Sequence, residues 1–151
     1  MASAQAAIPV HEGGSPTALY ISSIAHDHYT LRGILQQSGW KVRPTGSLEA
    51  AKATLREQSF AVVITEDALE VGTWKDVLDL LHGLPDPPQI IVTSADTDAY
   101  LWAEALNLGV YDVLTKPFDN CEVTRVLHSA WIRQQHAYPA KWNGPVAKVA
   151  S

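Results

Sequence analysis

The sequence predicts a single α/β domain built on a doubly wound, five-stranded parallel sheet with helices on both faces. Three observations carry that expectation. Short apolar runs alternate five times with segments of helical period between residues 17 and 136. Parallel neighbours need crossover connections of one hand, and the intervening helical segments supply them. The third run, Phe60 to Thr65, is apolar almost throughout, as a strand covered on both faces requires.

The first strand is Ala18 to Ile21. A helix follows with Asp27 as its N-cap, Leu31, Ile34 and Leu35 at helical spacing and Gly39 at its end. Trp40 to Arg43 is the second strand. Ser47 caps the second helix, whose inner face carries Leu48, Ala51 and Leu55. After the third strand, Thr73 caps a helix with Trp74, Val77, Leu78 and Leu81 on one face and Gly83 beyond it. Pro85, Pro87 and Pro88 forbid helix and lead into the fourth strand, Gln89 to Thr93. A helix from Ala99 to Leu108 stops at Gly109, and the fifth strand is Tyr111 to Thr115. Asp119 with Glu122 resembles a capping box for the last helix, whose buried stripe is Val123, Val126, Leu127, Ala130 and Trp131. Residues 1–16 read as a flexible leader, 17–136 as the domain, and 137–151 as a tail that packs, if at all, through Trp142.

Composition narrows the function. The chain has 151 residues, 46% of them hydrophobic and 18% charged, with a formal net charge of −5. That is a globular composition, and its acidity argues against nucleic-acid or anionic-membrane binding, which need clustered Lys and Arg. No apolar run is long enough to span a membrane, and the leader lacks the basic start of a secretion signal, so a cytoplasmic location is expected. The single cysteine, Cys121, excludes an internal disulfide and reads as a small residue rather than a reactive thiol. His26 and His28 flank Asp27 too closely to converge on a metal, and no third ligand is evident. His82 and His128 lie near helix C-terminal halves and need no further role. Glu66, Asp67 and Glu70 read as a loop cluster of acids.

In an open parallel sheet the ligand crevice lies outside the carboxyl ends of the strands. This draws attention to Ser22 and Ser23, Thr65 to Asp67, Ser94 and Lys116. Leu31, Leu35, Gly39 and Val42, the run Thr115-Lys116-Pro117-Phe118, and Gly109 seven residues before Lys116 together resemble the receiver domain of response regulators, over about residues 17 to 136. The resemblance implies a CheY-like or flavodoxin-like strand order 2-1-3-4-5 and a role in two-component or phosphorelay signalling. It also implies an Mg²⁺-binding acidic pair after strand one and a phosphoacceptor Asp ending strand three. At those places stand Ser22, Ser23 and Thr65, while the family's Ser/Thr and Lys persist as Ser94 and Lys116.

Magnesium wants hard oxygen ligands, and a hydroxyl is not nucleophilic at neutral pH without a base. Ser22, Ser23 and Thr65 with Lys116 give the pocket a charge of +1, where three carboxylates and a Lys would give −2. The expectation is therefore a degenerate receiver, not an enzyme, without Mg²⁺ or other cofactor, in which Lys116 meets the hydroxyls of Thr65 or Ser22. A one-residue shift would instead bring Glu66 to the acceptor position as a fixed imitation of the phosphorylated state; strand alternation favours Thr65.

The family's switch aromatic in strand five aligns with Val113, and Tyr111, two residues earlier on the same face, is the available substitute. Trp102 is hard to turn inward, because Leu101 and Ala105 already supply the inner face of its helix. It is a candidate anchor for a partner, such as a histidine kinase or another regulator, or for a homodimer through helices four and five. With no output segment after residue 136, signalling would pass through that partner. Two rivals are a working receiver with an unusual acceptor and a small flavodoxin-like cofactor carrier. The second needs a glycine-rich phosphate loop after strand one, and Ser22 to Thr30 contains no glycine.

Overall fold

A computed structural model describes residues 15–137, so the expected tail with Trp142 and nearly all of the leader lie outside the described residues. In chain order the elements are β1 (Thr17–Ile21), α1 (Ala25–Gln37), β2 (Lys41–Thr45), α2 (Leu48–Glu57), β3 (Val62–Glu66), α3 (Trp74–His82), β4 (Gln89–Ser94), α4 (Ala99–Asn107), β5 (Asp112–Thr115) and α5 (Asn120–Ala137). The strands form one sheet in the order β2-β1-β3-β4-β5, every neighbouring pair parallel.

Side chains alternate along each strand, and the two faces build two cores. Ala18, Tyr20, Val62, Ile64, Ile91 and Leu114 point to one side, where Leu31 and Leu35 of α1 and Val123 and Leu127 of α5 cover them. Leu19, Ile21, Val63, Ile90, Val92 and Val113 point to the other, beneath Ala51 of α2, Val77 and Leu81 of α3 and Ala105 of α4. The apolar runs of β1 and β3 are thus continuous because both of their faces are buried. β2 lies at the edge of the sheet, which is where Pro44, lacking an N–H, can be tolerated in a strand.

The helix starts follow local chemistry. Ser47 Oγ accepts from the Ala50 N–H, and Thr73 and Asp76 form a complete capping box on α3. Asp98 accepts from the Leu101 N–H at α4, and Asp119 from the Glu122 N–H at α5. Gly39 and Gly109 turn the chain out of α1 and α4 with φ of 84° and 109°, a region that side-chain-bearing residues avoid.

Several boundaries differ from expectation by a residue or two, and those at the end of β3 and the start of α1 bear on the site. β2 continues past Arg43 to Thr45, and β3 runs one residue further, to Glu66, because its backbone keeps pairing with β4 as far as Thr93. α1 begins before Asp27: Ile24 is its N-cap, without a side-chain cap, and Asp27 lies within the first turn. The expected capping role of Asp27 is therefore corrected. Its side chain is drawn inward because it starts the same stripe that continues through Leu31, Ile34 and Leu35.

Candidate functional site

At the carboxyl edge of the sheet, alternation decides which polar side chains meet. Glu66 pairs in register with Thr93, and both share the face of Ile64 and Ile91, the side covered by α1 and α5. Asp27 enters from the first turn of α1, and Lys116 from the residue after β5, joined to Pro117 by a cis peptide bond. The Lys116 ammonium donates to Asp27 Oδ2 at 2.6 Å and to Glu66 Oε2 at 2.5 Å. The other Glu66 oxygen, Oε1, accepts from Thr93 Oγ1 at 3.0 Å and from the Tyr20 hydroxyl at 3.5 Å.

These groups are largely removed from water; the Lys116, Asp27 and Glu66 side chains are 12%, 13% and 7% exposed. Burial pushes the Lys116 pKa down, but hydrogen bonds to Asp27 and Glu66 and their charges outweigh it, leaving the ammonium held above the ordinary lysine value. Burial, reinforced by the charge of Glu66, pushes the Tyr20 phenol well above its usual range. Both directions describe one cluster: a trapped ammonium between two carboxylates, with a neutral phenol beside them.

The opposite face of the same edge holds a separate pair. Ser94 Oγ donates to Asp67 Oδ2 at 2.9 Å and accepts from the Asp96 N–H at 3.0 Å. Thr65 is fully buried, and its hydroxyl donates to the Glu66 carbonyl oxygen at 3.0 Å.

Several expectations need correction here. Lys116 meets neither Thr65 nor Ser22; it meets Glu66 and Asp27. Thr65 and Glu66 do face opposite sides, as alternation requires, but the longer β3 turns Glu66 toward Lys116 and Thr65 away. The hydroxyl beside Glu66 belongs to Thr93, whereas Ser94 points across the sheet to Asp67, which is consequently more than a solvated loop acid. The charge gathered at Lys116 is −1, not the expected +1, because two carboxylates converge on one ammonium.

Ser22 is buried and its Oγ accepts from the Ile24 N–H at 3.1 Å, while Ser23 is exposed. His26 is exposed as expected, but His28 is not solvated freely. Its ring packs edge-on against Tyr20, and its Nε2 donates to the Ser22 carbonyl at 2.6 Å.

The expected surface residues also separate. Trp102 is 49% exposed on α4, near the exposed Tyr100 and Leu108 in the sequence. Val113 is buried, and therefore presents nothing at the surface. Tyr111 precedes β5 and packs against the α1/α5 core under the Arg133 guanidinium, so it does not share the face of Val113 and cannot replace a switch ring there. Asp27 and Thr93 were missed as site residues. Their signals were present: Asp27 stands four residues before Leu31 on the buried stripe, and Thr93 two residues after Ile91 on a strand.

An open sheet of this order, with a lysine–proline step after its last strand and an acid–ammonium cluster at its carboxyl edge, places the protein among the receivers of phosphotransfer signalling. The chain belongs to the response-regulator receiver family: residues 25–128 match the family described as "Response regulator receiver domain". It is similar to the transcriptional regulatory protein FixJ of Bradyrhizobium diazoefficiens, with 29% identity over 119 residues, covering 79% of this chain and 57% of that protein. The chain thus corresponds to little more than half of that relative's length.

Among solved structures, full-length FixJ from B. japonicum superposes with a TM-score of 0.75 at 23% identity, covering 83% of this chain and 62% of that one. The signal receiver domain of an HD domain-containing protein from Pseudomonas fluorescens Pf-5 gives 0.73 at 24% identity, covering 81% and 98%. The receiver domain of the Francisella response regulator 1452 gives 0.71 at 18%, covering 78% and 98%. These likenesses establish the five-stranded receiver fold. Its family is one of signalling modules, and among the described residues no helix is long and apolar enough to cross a membrane.

Proposed function

We propose that this chain is a phosphorylation-independent receiver that signals from the cytoplasm by protein–protein contact, without enzymatic activity of its own and without binding nucleic acid. The observation that carries the reading is the Lys116 ammonium held between Glu66 and Asp27. Glu66 is one methylene longer than an aspartate. Its carboxylate reaches both the ammonium and the Thr93 hydroxyl, which supports reading it as a permanent anion in place of the family's transient one.

The residues do not fit the family's Mg²⁺. The ion wants several hard oxygens in near-octahedral array. Ser22 and Ser23 offer neutral hydroxyls, the first already hydrogen-bonded to the Ile24 N–H, and the two nearby carboxylates each have an oxygen on Lys116. Among the described residues no three acidic, imidazole or thiolate side chains form a metal-binding group. Output then depends on a partner, a histidine kinase, another regulator or a second copy, with the exposed Trp102 as its anchor.

A working receiver with an unusual acceptor is the second reading, and one observation favours it: Asp67, half-buried beside the Ser94 hydroxyl, is a carboxylate away from the ammonium. Incubation with acetyl phosphate and Mg²⁺, followed by intact-mass measurement, separates the two. No mass gain is the expected result. A stoichiometric gain of one phosphoryl group, mapped to Asp67 or Glu66, would establish the rival.

A further inference from the structure

We infer that residues 138–151 dock through Trp142 onto a cleft at the amino edge of the sheet, the end opposite Lys116. The cleft opens where β1, β3 and β4 begin, beside Thr17, Ala61 and Pro88, and has a volume of about 440 Å³. Clefts of about 300–1,000 Å³ are those in which proteins receive organic ring systems. Buried Phe60 with half-buried Leu84 and Trp131 gives this one apolar surface, and Gln134 and Asp86 give it polar surface.

α5 delivers the next segment of chain to this cleft. The helix ends at Ala137, two residues past Gln135, which also lines the opening. Pro139 disfavours helix at Tyr138 and directs the backbone off the α5 axis there. Trp142 stands five residues after Ala137, a reach of at most about 17 Å, so its ring can return over Trp131 and Phe60. An indole suits a cleft of mixed polarity. It buries a large apolar body and keeps one N–H donor, for which the Gln134 amide oxygen and the Asp86 carboxylate are acceptors. Charge points the same way. Among the described residues that line the cleft Asp86 is the only charged one, whereas residues 138–151 carry Lys141 and Lys148 and no acid. Residues 1–14 contain no Trp, Tyr or Phe and offer no comparable anchor.

The test is nuclear magnetic resonance on the isotopically labelled full chain, with thermal unfolding alongside. In wild type the Trp142 ring should show through-space contacts to Phe60 and Leu84. Trp142→Ala should shift the amide resonances of Ser59, Phe60 and Leu84, all far from it in sequence. Those of Ser22, Thr93 and Lys116, at the other edge of the sheet, should stay in place. Trp142→Ala should also melt about 3 °C or more below wild type, and Trp142→Phe, which keeps a ring, should lose less than half as much.

The inference is overturned if Ser59, Phe60 and Leu84 keep their resonances in Trp142→Ala, or if Ser22, Thr93 and Lys116 shift as much. An unchanged melting temperature overturns it as well. Contacts to the Trp142 ring that vanish on dilution would assign the cleft to the same segment of a second copy. Shifts that follow Ile8→Ala instead of Trp142→Ala would assign it to the leader. Either result rules out docking of residues 138–151 on their own domain.

Discussion

The cluster at Lys116 predicts an asymmetry between two charge-removing substitutions. Lys116→Met leaves Asp27 and Glu66 facing each other with no cation between them. The two oxygens lie no more than about 5.1 Å apart, so at an effective dielectric near 20 their repulsion is at least about 3 kcal/mol, in line with the 3–5 kcal/mol typical of an orphaned buried charge. Glu66→Gln has a different consequence. Lys116 keeps Asp27 as a full counter-charge, the local charge falls from −1 to zero, and the amide oxygen can still accept from Thr93 or Lys116. What is lost is the difference between charge-assisted and neutral hydrogen bonds, about 1 kcal/mol. Urea unfolding at neutral pH, with both variants and wild type fitted to a common slope, measures the two costs directly. Equal costs, or a greater cost for Glu66→Gln, would refute the view that the ammonium is shared by two carboxylates.

Alkaline pH should act on the same cluster. Lys116 and Tyr20 both hold their protons more tightly in the folded chain than in the unfolded one. Their contribution is complete below about pH 10 and declines as pH rises above it, and Tyr20→Phe should flatten part of that decline in a series of melting curves. Trp102→Ala should leave the melting temperature nearly unchanged, because the residue is already 49% exposed, while weakening self-association or capture of a partner in sedimentation or pull-down measurements. A large fall in stability would assign the ring to the core. Leu127→Ala, at a fully buried position on α5, should cost about 2–5 kcal/mol in chemical unfolding; a cost below 1 would mean that the α1/α5 layer packs loosely.

The architecture was legible in the sequence because it depends on repeated, redundant signals. Ser47 and Thr73 announce their helices by chemistry that does not need the rest of the fold, and Gly39 and Gly109 mark where α1 and α4 must stop. The site was less legible because it depends on single residues. Ending β3 at Thr65 instead of Glu66 shifts no apolar residue, yet it reverses which side chain meets Lys116. Asp27 has two plausible roles, cap or inward-facing acid, and local sequence favours the first. Only the packing of α1 against Tyr20 and Lys116 chooses the second. Sequence pointed to Lys116 and offered Glu66 as an alternative to Thr65; it could not see that Asp27, from another element, would share the ammonium.

The back-to-back arrangement at the end of the sheet has a consequence for how this domain can change. Glu66 with Thr93 and Asp67 with Ser94 are two acid–hydroxyl couples in adjacent registers, insulated from each other by one thickness of backbone. A side chain exchanged in one couple leaves the other intact, so each half of the molecule can drift independently. A single-residue insertion or deletion at the end of β3 or β4 would instead swap partners between the halves at once. Length at these two strand ends is therefore more tightly constrained than the identity of any one polar residue there.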